Sequence, residues 1–137
     1  MLTRAQIASR IPHASAMCLL DSALSWDATS IVCSAEAPAA DHALANADGV
    51  PAVAAVEYAA QAAAVHGALL DDSAAARAGM LAKLSHVELA NGAIDGALTV
   101  RAELLSRVAT GCMYDFSVAD AQACRARGRL LVAFSDE

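Results

Sequence analysis

One stretch constrains the fold of this chain more than any other: the segment from Pro51 to Leu70 is almost entirely small and apolar. Polar side chains occur there only at Glu57, Tyr58, Gln61 and His66. A helix that is apolar on every side is expected to be buried on every side. We therefore expect one central helix wrapped by a β-sheet. Because a carboxylate is costly in such surroundings, Glu57 is the first candidate for function.

Length, charge and cysteine spacing narrow the class of protein. A chain of 137 residues predicts a single domain that spans residues 1–137, and a net charge of −6 argues against a nucleic-acid binder. Since Glu57 and Gln61 interrupt the apolar run, we expect a core helix and no membrane span. With no secretory signal, CxxC pair or metal-ligand spacing, we expect a cytoplasmic protein with no metal, whose thiols are reduced and mostly buried. The cysteines are Cys18, Cys33, Cys112 and Cys124.

The rest of the chain reads as an α+β pattern. Thr3 is a plausible N-cap for a short helix over residues 2–10, and residues 38–49 have the composition of a loop. Side chains alternate with period two in several segments, which predicts strands. The predicted strands cover residues 17–26, 30–37, 84–89, 98–104, 112–118 and 124–133. An antiparallel sheet curled around one long helix is the hotdog fold, which we expect here.

Glu57 and Gln61 lie four residues apart and share a helix face. We interpret Glu57 as a general acid or base in an apolar pocket, with Gln61 orienting it or the substrate. The alternative is that Glu57 reaches solvent or pairs with a distant arginine. His42 precedes the helix in the polar loop, and an imidazole suits proton transfer near neutral pH. From composition alone, an exposed loop residue is the favoured interpretation of His42.

Other polar residues have weaker claims to a functional role. His13, His66 and His86 show no zinc-motif spacing, and His66 lies on the opposite side of the helix from Glu57. Three arginines fall on one face of the last predicted strand, where a solvated surface is the favoured interpretation. The alternative is recognition of a phosphate-bearing carrier arm or of an acidic carrier protein. These arginines are Arg125, Arg127 and Arg129.

Two segments resemble a known family. The run from Ile11-Pro12-His13 to Met17-Cys-Leu-Leu20-Asp21 is similar to the opening of FabZ-like 3-hydroxyacyl-ACP dehydratases. The helix segment Gly49-Val50-Pro51-Ala52, followed by Glu57-Tyr58-Ala-Ala-Gln61, more closely resembles the ApeP-like dehydratases associated with aryl polyene pathways. The sequence departs from FabZ in lacking the GHFPG loop, and Val53 stands where ApeP-like proteins have Trp.

The resemblance implies a cytoplasmic hotdog dimer with its active site at the subunit interface. His42 of one subunit would then work with Glu57 of the other, and Ala52, Val53, Tyr58 and Gln61 would line the substrate site. The implied substrate is a 3-hydroxyacyl thioester carried by acyl carrier protein or coenzyme A, with no further cofactor. We expect a homodimer, with a heterodimer of related hotdog subunits as the alternative.

Two other functions fit the same fold. A hotdog thioesterase would use Glu57 to activate water against the thioester carbonyl. A catalytically silent subunit would stabilise a related dehydratase or hold an acyl chain, an interpretation that the altered loop around His42 favours. Fold alone does not distinguish these functions.

Overall fold

The computed structural model describes residues 1–9, 19–37, 49–71 and 79–134, with side chains from Leu81 onward in the last range. A 3₁₀ segment, Ala52–Ala54, leads directly into the long helix. In chain order the helices and strands are β1 (Leu2–Thr3), α1 (Arg4–Ala8), β2 (Ser22–Trp26), β3 (Ser30–Ala35), α2 (Ala55–Leu70), β4 (Gly79–Leu89), β5 (Leu98–Val108), β6 (Gly111–Ala119) and β7 (Cys124–Phe134).

The strands form one seven-stranded antiparallel sheet in the order β1-β2-β3-β5-β6-β7-β4. Helix α2 packs against β3, β5, β6 and β7, so the sheet curls around it. This arrangement confirms the predicted hotdog fold. Because side chains alternate along each strand, one sheet face supplies the core and the other faces outward.

The core is built mainly from aliphatic side chains, as the composition indicates. On β6, Tyr114, Phe116 and Val118 are buried while the intervening Asp115 and Ser117 are only partly buried. Val100 and Ala102 of β5 lie opposite Val118 and Phe116 and complete the layer against α2. Helix α2, which carries Glu57, packs against this inner face of the sheet.

Burial of α2 on every side was expected, and this expectation is wrong for one stripe. Val53 is 57% exposed, and Glu57, Ala60, Ala64 and Gly67 are only partly buried. These residues are three or four positions apart and so form one line along the helix. The segment Ala52–Leu70 is long and apolar enough to cross a membrane, but most of it is buried within the protein, as in a core helix.

The ends of several elements differ from the sequence predictions. Helix α1 has the predicted N-cap, Thr3, which forms a capping box with Gln6, but it covers only Arg4–Ala8 because Leu2 and Thr3 pair with β2. Strand β2 begins only at Ser22, because the chain at Leu19 bonds to α2 instead of to a strand. Helix α2 continues to Leu70, the end of the apolar segment, and Gly67 lies within its last turn. The predicted loop at 38–48 lies outside the described residues.

Strand β4 is longer than predicted and lies at the edge of the sheet. Its apolar side chains remain exposed: the exposed fractions are 43% for Leu81, 39% for Leu84, 37% for Val87 and 46% for Leu89. An exposed apolar sheet edge is unusual in a protein that acts alone, because its backbone groups and side chains favour association.

Candidate functional site

The chain enters α2 through a fixed turn. Gly49 has φ +105°, a conformation that favours glycine, and an added Cβ would lie 3.3 Å from the Cβ of Ala93. The N–H of Ile94 donates to the carbonyl of Val50 at 2.8 Å, and Pro51 bridges to Ala93. The Gly-Val-Pro sequence therefore anchors the start of the helix to the segment that precedes β5.

Among the described residues, the two N-cap positions at the start of α2 offer no side-chain cap. Neither Pro51, ahead of the 3₁₀ segment, nor Ala54, ahead of α2, makes a side-chain cap hydrogen bond. The amide dipoles at a helix start favour negative charge. Ala52 is buried at this end of the helix, and Val53 is exposed beside it. The helix start therefore presents polar backbone amides next to an exposed apolar side chain.

Glu57 is the acidic residue in the first turn of α2 and is partly buried. It lies four residues after Val53, so both belong to the partly exposed stripe of the helix. Glu57 therefore places a carboxylate at the boundary between the buried core and the protein surface, next to the helix start. His42 lies outside the described residues, and its pairing with Glu57 stays a prediction.

Gln61 is buried and makes a specific structural contact. Its side-chain Oε1 accepts a hydrogen bond of 2.9 Å from the N–H of Leu19. This bond ties the middle of α2 to the chain that leads into β2, so one atom of the amide group is already used within the protein. The predicted role of Gln61 in substrate binding stays a prediction.

Tyr58 is 1% exposed and belongs to the hydrophobic core. Burial raises the pKa of its phenol, the carboxylate of Asp21 raises it further, and Arg4 opposes the rise. Arg4 and Asp21 form an ion pair of 2.8 Å. The structure thus places Tyr58 against the N-terminal elements, and its predicted substrate contact stays a prediction.

His66 belongs to a buried network on the side of α2 away from Glu57. Its Nε2 lies 2.8 Å from the carbonyl oxygen of Asp27, and its Nδ1 lies 2.6 Å from the hydroxyl of Tyr114. A carbonyl oxygen can only accept, so Nε2 carries the hydrogen and Nδ1 accepts from Tyr114. Burial lowers the pKa of His66, and the bond to Asp27 opposes this effect. The imidazole is therefore a neutral link between α2, the β2–β3 turn and β6.

The arginine stripe of β7 is engaged in ion pairs. Arg125 lies 2.6 Å from Asp120, Arg129 lies 2.8 Å from Asp115, and Arg127 pairs with Glu88. This pairing favours the solvated-face interpretation over a free anion-binding stripe. Cross-strand register sets the Arg127–Glu88 and Arg129–Asp115 pairs, whereas Arg125 pairs with Asp120 in the turn between β6 and β7. The sequence pattern alone did not reveal these pairs.

The cysteines follow the prediction in part. Cys33 and Cys112 are buried and reduced, and burial raises the pKa of Cys33 to about 12. Cys124 is exposed at the start of β7, so the expectation of burial is wrong for this thiol. Cys18 lies outside the described residues. Within the described ranges, no group of three His, Cys, Asp or Glu side chains is positioned to hold a metal ion.

Comparison with known proteins places the chain in a family. Residues 5–137 match the ApeP-like family, described as ApeP dehydratase. The chain belongs to the ApeP-like dehydratase family. This membership confirms the resemblance carried by the segments around Pro12 and Glu57. A comparison with curated proteins found no match.

Solved structures share the ApeP-like fold. A chain of the dehydratase heterocomplex ApeI:P from Xenorhabdus doucetiae is 20% identical, with a TM-score of 0.83, covering 100% of this chain and 93% of that one. The Escherichia coli PaaI protein is 14% identical (TM-score 0.65; coverage 95% and 88%). A hypothetical thioesterase with coenzyme A from Streptococcus pneumoniae TIGR4 is 12% identical (TM-score 0.63; coverage 83% and 84%). At these identities the likeness shows the fold alone.

Proposed function

We propose that this ApeP-like protein dehydrates 3-hydroxyacyl thioesters, carried on acyl carrier protein or coenzyme A, to enoyl thioesters. The observation that carries the proposal is the position of Glu57: a partly exposed carboxylate in the first turn of a mostly buried helix. Biosynthesis of aryl polyenes or fatty acids is the pathway class that this family resemblance favours.

The proposed reaction needs one base and one acid. His42 takes the α-proton of the thioester, and Glu57 acts as the general acid that gives a proton to the β-hydroxyl, which leaves as water. The C–H and C–O bonds break, a C=C bond forms, and proton exchange with solvent restores both groups. The start of α2 near Ala52 would stabilise the negative charge that develops on the thioester oxygen.

A second hotdog subunit is part of the proposal. The edge of β4 exposes Leu81, Leu84, Val87 and Leu89, and the stripe of α2 exposes Val53 next to Glu57. A partner that covers these surfaces would enclose the carboxylate and exclude water from the acyl chain. We propose a homodimer first and a heterodimer with a related subunit second. The ApeI:P complex, described as a dehydratase heterocomplex, supports a paired arrangement.

The test is a comparison of Glu57→Gln with the matched control Glu103→Gln. Glu103 lies exposed on the outward face of β5, away from α2. Enoyl thioester formation is followed by ultraviolet absorbance, and thiol release by a thiol reagent, with the protein alone and mixed with a related dehydratase subunit. We expect Glu57→Gln to lower kcat about 100-fold or more, as for loss of a general acid, and Glu103→Gln to leave it unchanged.

The outcomes separate the three functions. Thiol release without enoyl formation would establish a thioesterase instead of a dehydratase. Activity that appears only in the mixture and is unaffected by both Glu57→Gln and His42→Ala would identify a silent subunit. Loss of activity in His42→Ala as well as in Glu57→Gln would support the proposed pair.

A further inference from the structure

A cavity of about 290 Å³ opens on the outward face of the sheet, away from α2. Its position follows from strand alternation: Leu130 of β7 is buried against the core, and its neighbours Arg129 and Leu131 face outward. The cavity lies between β4, β6 and β7, and it takes no part in the proposed dehydration. Its lining residues are Lys83, Ser85, His86, Met113, Arg129 and Leu131.

A β-bulge turns His86 towards this cavity. Ser85 pairs with Arg129 and Glu88 with Arg127, so His86 and Val87 together oppose Gly128. In a regular strand, consecutive side chains face opposite sides of the sheet, yet Ser85 and His86 line the same cavity.

The bulge has a backbone cost and needs a glycine opposite it. His86 is the one non-glycine residue with positive φ in the described chain, at 55°. A Cβ on Gly128 would lie 3.0 Å from Cγ2 of Val87 and 3.1 Å from its Cα. Strain of this kind persists only where the surrounding structure holds it, and it occurs often at binding sites.

The groups that meet in the cavity combine positive charge with an apolar wall. Lys83 forms no ion pair with any carboxylate in the part of the chain that the structure describes. Arg129 uses Nε and Nη2 on Asp115, which leaves its other N–H groups for a further acceptor. Met113 and Leu131 contribute apolar surface. The chain as a whole has a net charge of −6, but the cations and the apolar wall of this cavity together favour an anion that carries an apolar part.

We propose that this cavity binds a small oxyanion, a carboxylate or a phosphate monoester, that carries a short apolar chain. The headgroup meets Lys83, His86 and Arg129, and the chain lies against Met113 and Leu131. Since one water takes about 30 Å³ in the liquid, the cavity holds roughly ten non-hydrogen atoms. Hexanoate and hexyl phosphate are therefore suitable test ligands.

Lys83 is the only lysine in the sequence, which gives a specific signal for binding. Reductive ¹³C-methylation of the untagged protein labels Lys83 and the N-terminal amine of Met1 and keeps the charge of both. NMR then follows the two signals during titration with hexanoate at constant ionic strength. We expect a saturable shift at Lys83 with Kd of about 1 mM and none at Met1, the internal control.

His86→Gly is the decisive variant. Glycine accepts φ 55° without strain, so the bulge is kept and only the imidazole is lost. We expect hexanoate to bind about tenfold more weakly, as for loss of a hydrogen bond to a charged group. Arg101→Ala is the control, because Arg101 is an exposed cation on β5 that does not line this cavity, and its affinity should match the parent. A thermal unfolding curve for each variant confirms that the fold is intact.

Further ligands test the two parts of the proposal. Hexanol tests the headgroup and inorganic phosphate tests the chain, and both should bind at least fivefold more weakly than the better of hexanoate and hexyl phosphate. The tighter of these two identifies the headgroup. Equal affinity for hexanol, or unchanged affinity in folded His86→Gly, would overturn the proposal. The bulge and Lys83 would then serve only to protect the sheet edge from aggregation.

Discussion

Replacement of Tyr114 by phenylalanine tests the buried link between α2 and the sheet. The substitution keeps the aromatic ring, which lies edge-on to His66 with 5.6 Å between the centroids. It removes the hydroxyl that donates to Nδ1 of His66 at 2.6 Å. Both side chains are 0% exposed, so solvent does not replace the lost donor.

The expected loss of stability follows from this unsatisfied nitrogen. A buried acceptor left without its donor costs about 1–3 kcal/mol. For a domain of this size, we expect the melting temperature to fall by roughly 5–10 °C. Differential scanning calorimetry of the parent and of Tyr114→Phe at pH 7.5 measures the change.

The pH dependence gives the prediction a sign. Burial lowers the pKa of His66 in the folded protein below its ordinary value of 6.5, while the Asp27 carbonyl and carboxylate oppose this effect and Arg107 reinforces it. The unfolded chain therefore binds a proton at a higher pH than the folded chain does. The stability from neutral His66 is present above about pH 6.5 and is lost as the pH falls through the folded pKa, by at most about 1.4 kcal/mol per pH unit.

Tyr114→Phe should also make His66 easier to protonate, because Nδ1 no longer accepts a hydrogen bond. The stability difference between parent and variant should therefore shrink from pH 7.5 to pH 5. In a His66→Phe background, Tyr114→Phe should be neutral or stabilising, since the tyrosine hydroxyl there has lost its acceptor. If Tyr114→Phe lowers the stability by the same amount at pH 7.5 and pH 5, and in the parent and the His66→Phe protein, the assigned tautomer of His66 and its hydrogen bond to Tyr114 are refuted.

Two further substitutions test non-local contacts. Asp120 accepts hydrogen bonds from the N–H groups of Asp95, Gln122 and Ala123 and from Arg125; burial alone would raise its pKa, but these donors hold the pKa well below its usual range. Asp120→Asn should therefore lower the free energy of unfolding by about 3 kcal/mol in urea titrations at pH 7. The loss should become smaller as the pH falls below 3.8, the ordinary pKa of the carboxyl group. An equal loss at every pH would contradict this view. Gly128→Ala should loosen β4 from β7, because its Cβ would press on Val87; faster hydrogen exchange confined to these strands is expected, and unchanged exchange would show that the bulge adapts.

Local patterns predicted much of the fold because their causes are local. Thr3 and Gln6 form a capping box within one turn, and the alternation along β6 depends only on neighbouring residues. The length and apolar character of α2 likewise follow from its own sequence. Strand β4 was predicted too short because its exposed leucines do not alternate regularly along the chain, and a register shift between Leu81 and Lys83 breaks the period of two in the part that was missed.

The parts that the sequence did not reveal depend on distant residues. His66 and Tyr114 are 48 positions apart, and the Gln61 contact reaches back 42 positions to Leu19. The packing of α2 against the sheet and against the chain before β2 brings these pairs together. The sequence therefore shows that a buried polar residue needs a partner but not which residue that partner is. For the candidate site, Glu57 was identifiable as a carboxylate in an apolar helix, whereas its pairing with His42 involves a loop outside the described residues.

The open edge of β4 has a consequence for the life of the protein in a cell. In the proposed dimer, a newly made chain that has not yet paired would present Leu81, Leu84, Val87 and Leu89 to chaperones, proteases and other unfinished chains. Its yield would then depend on how quickly a second subunit is found. In the alternative heterodimer, synthesis of the two subunits in balanced amounts would become a condition for accumulation.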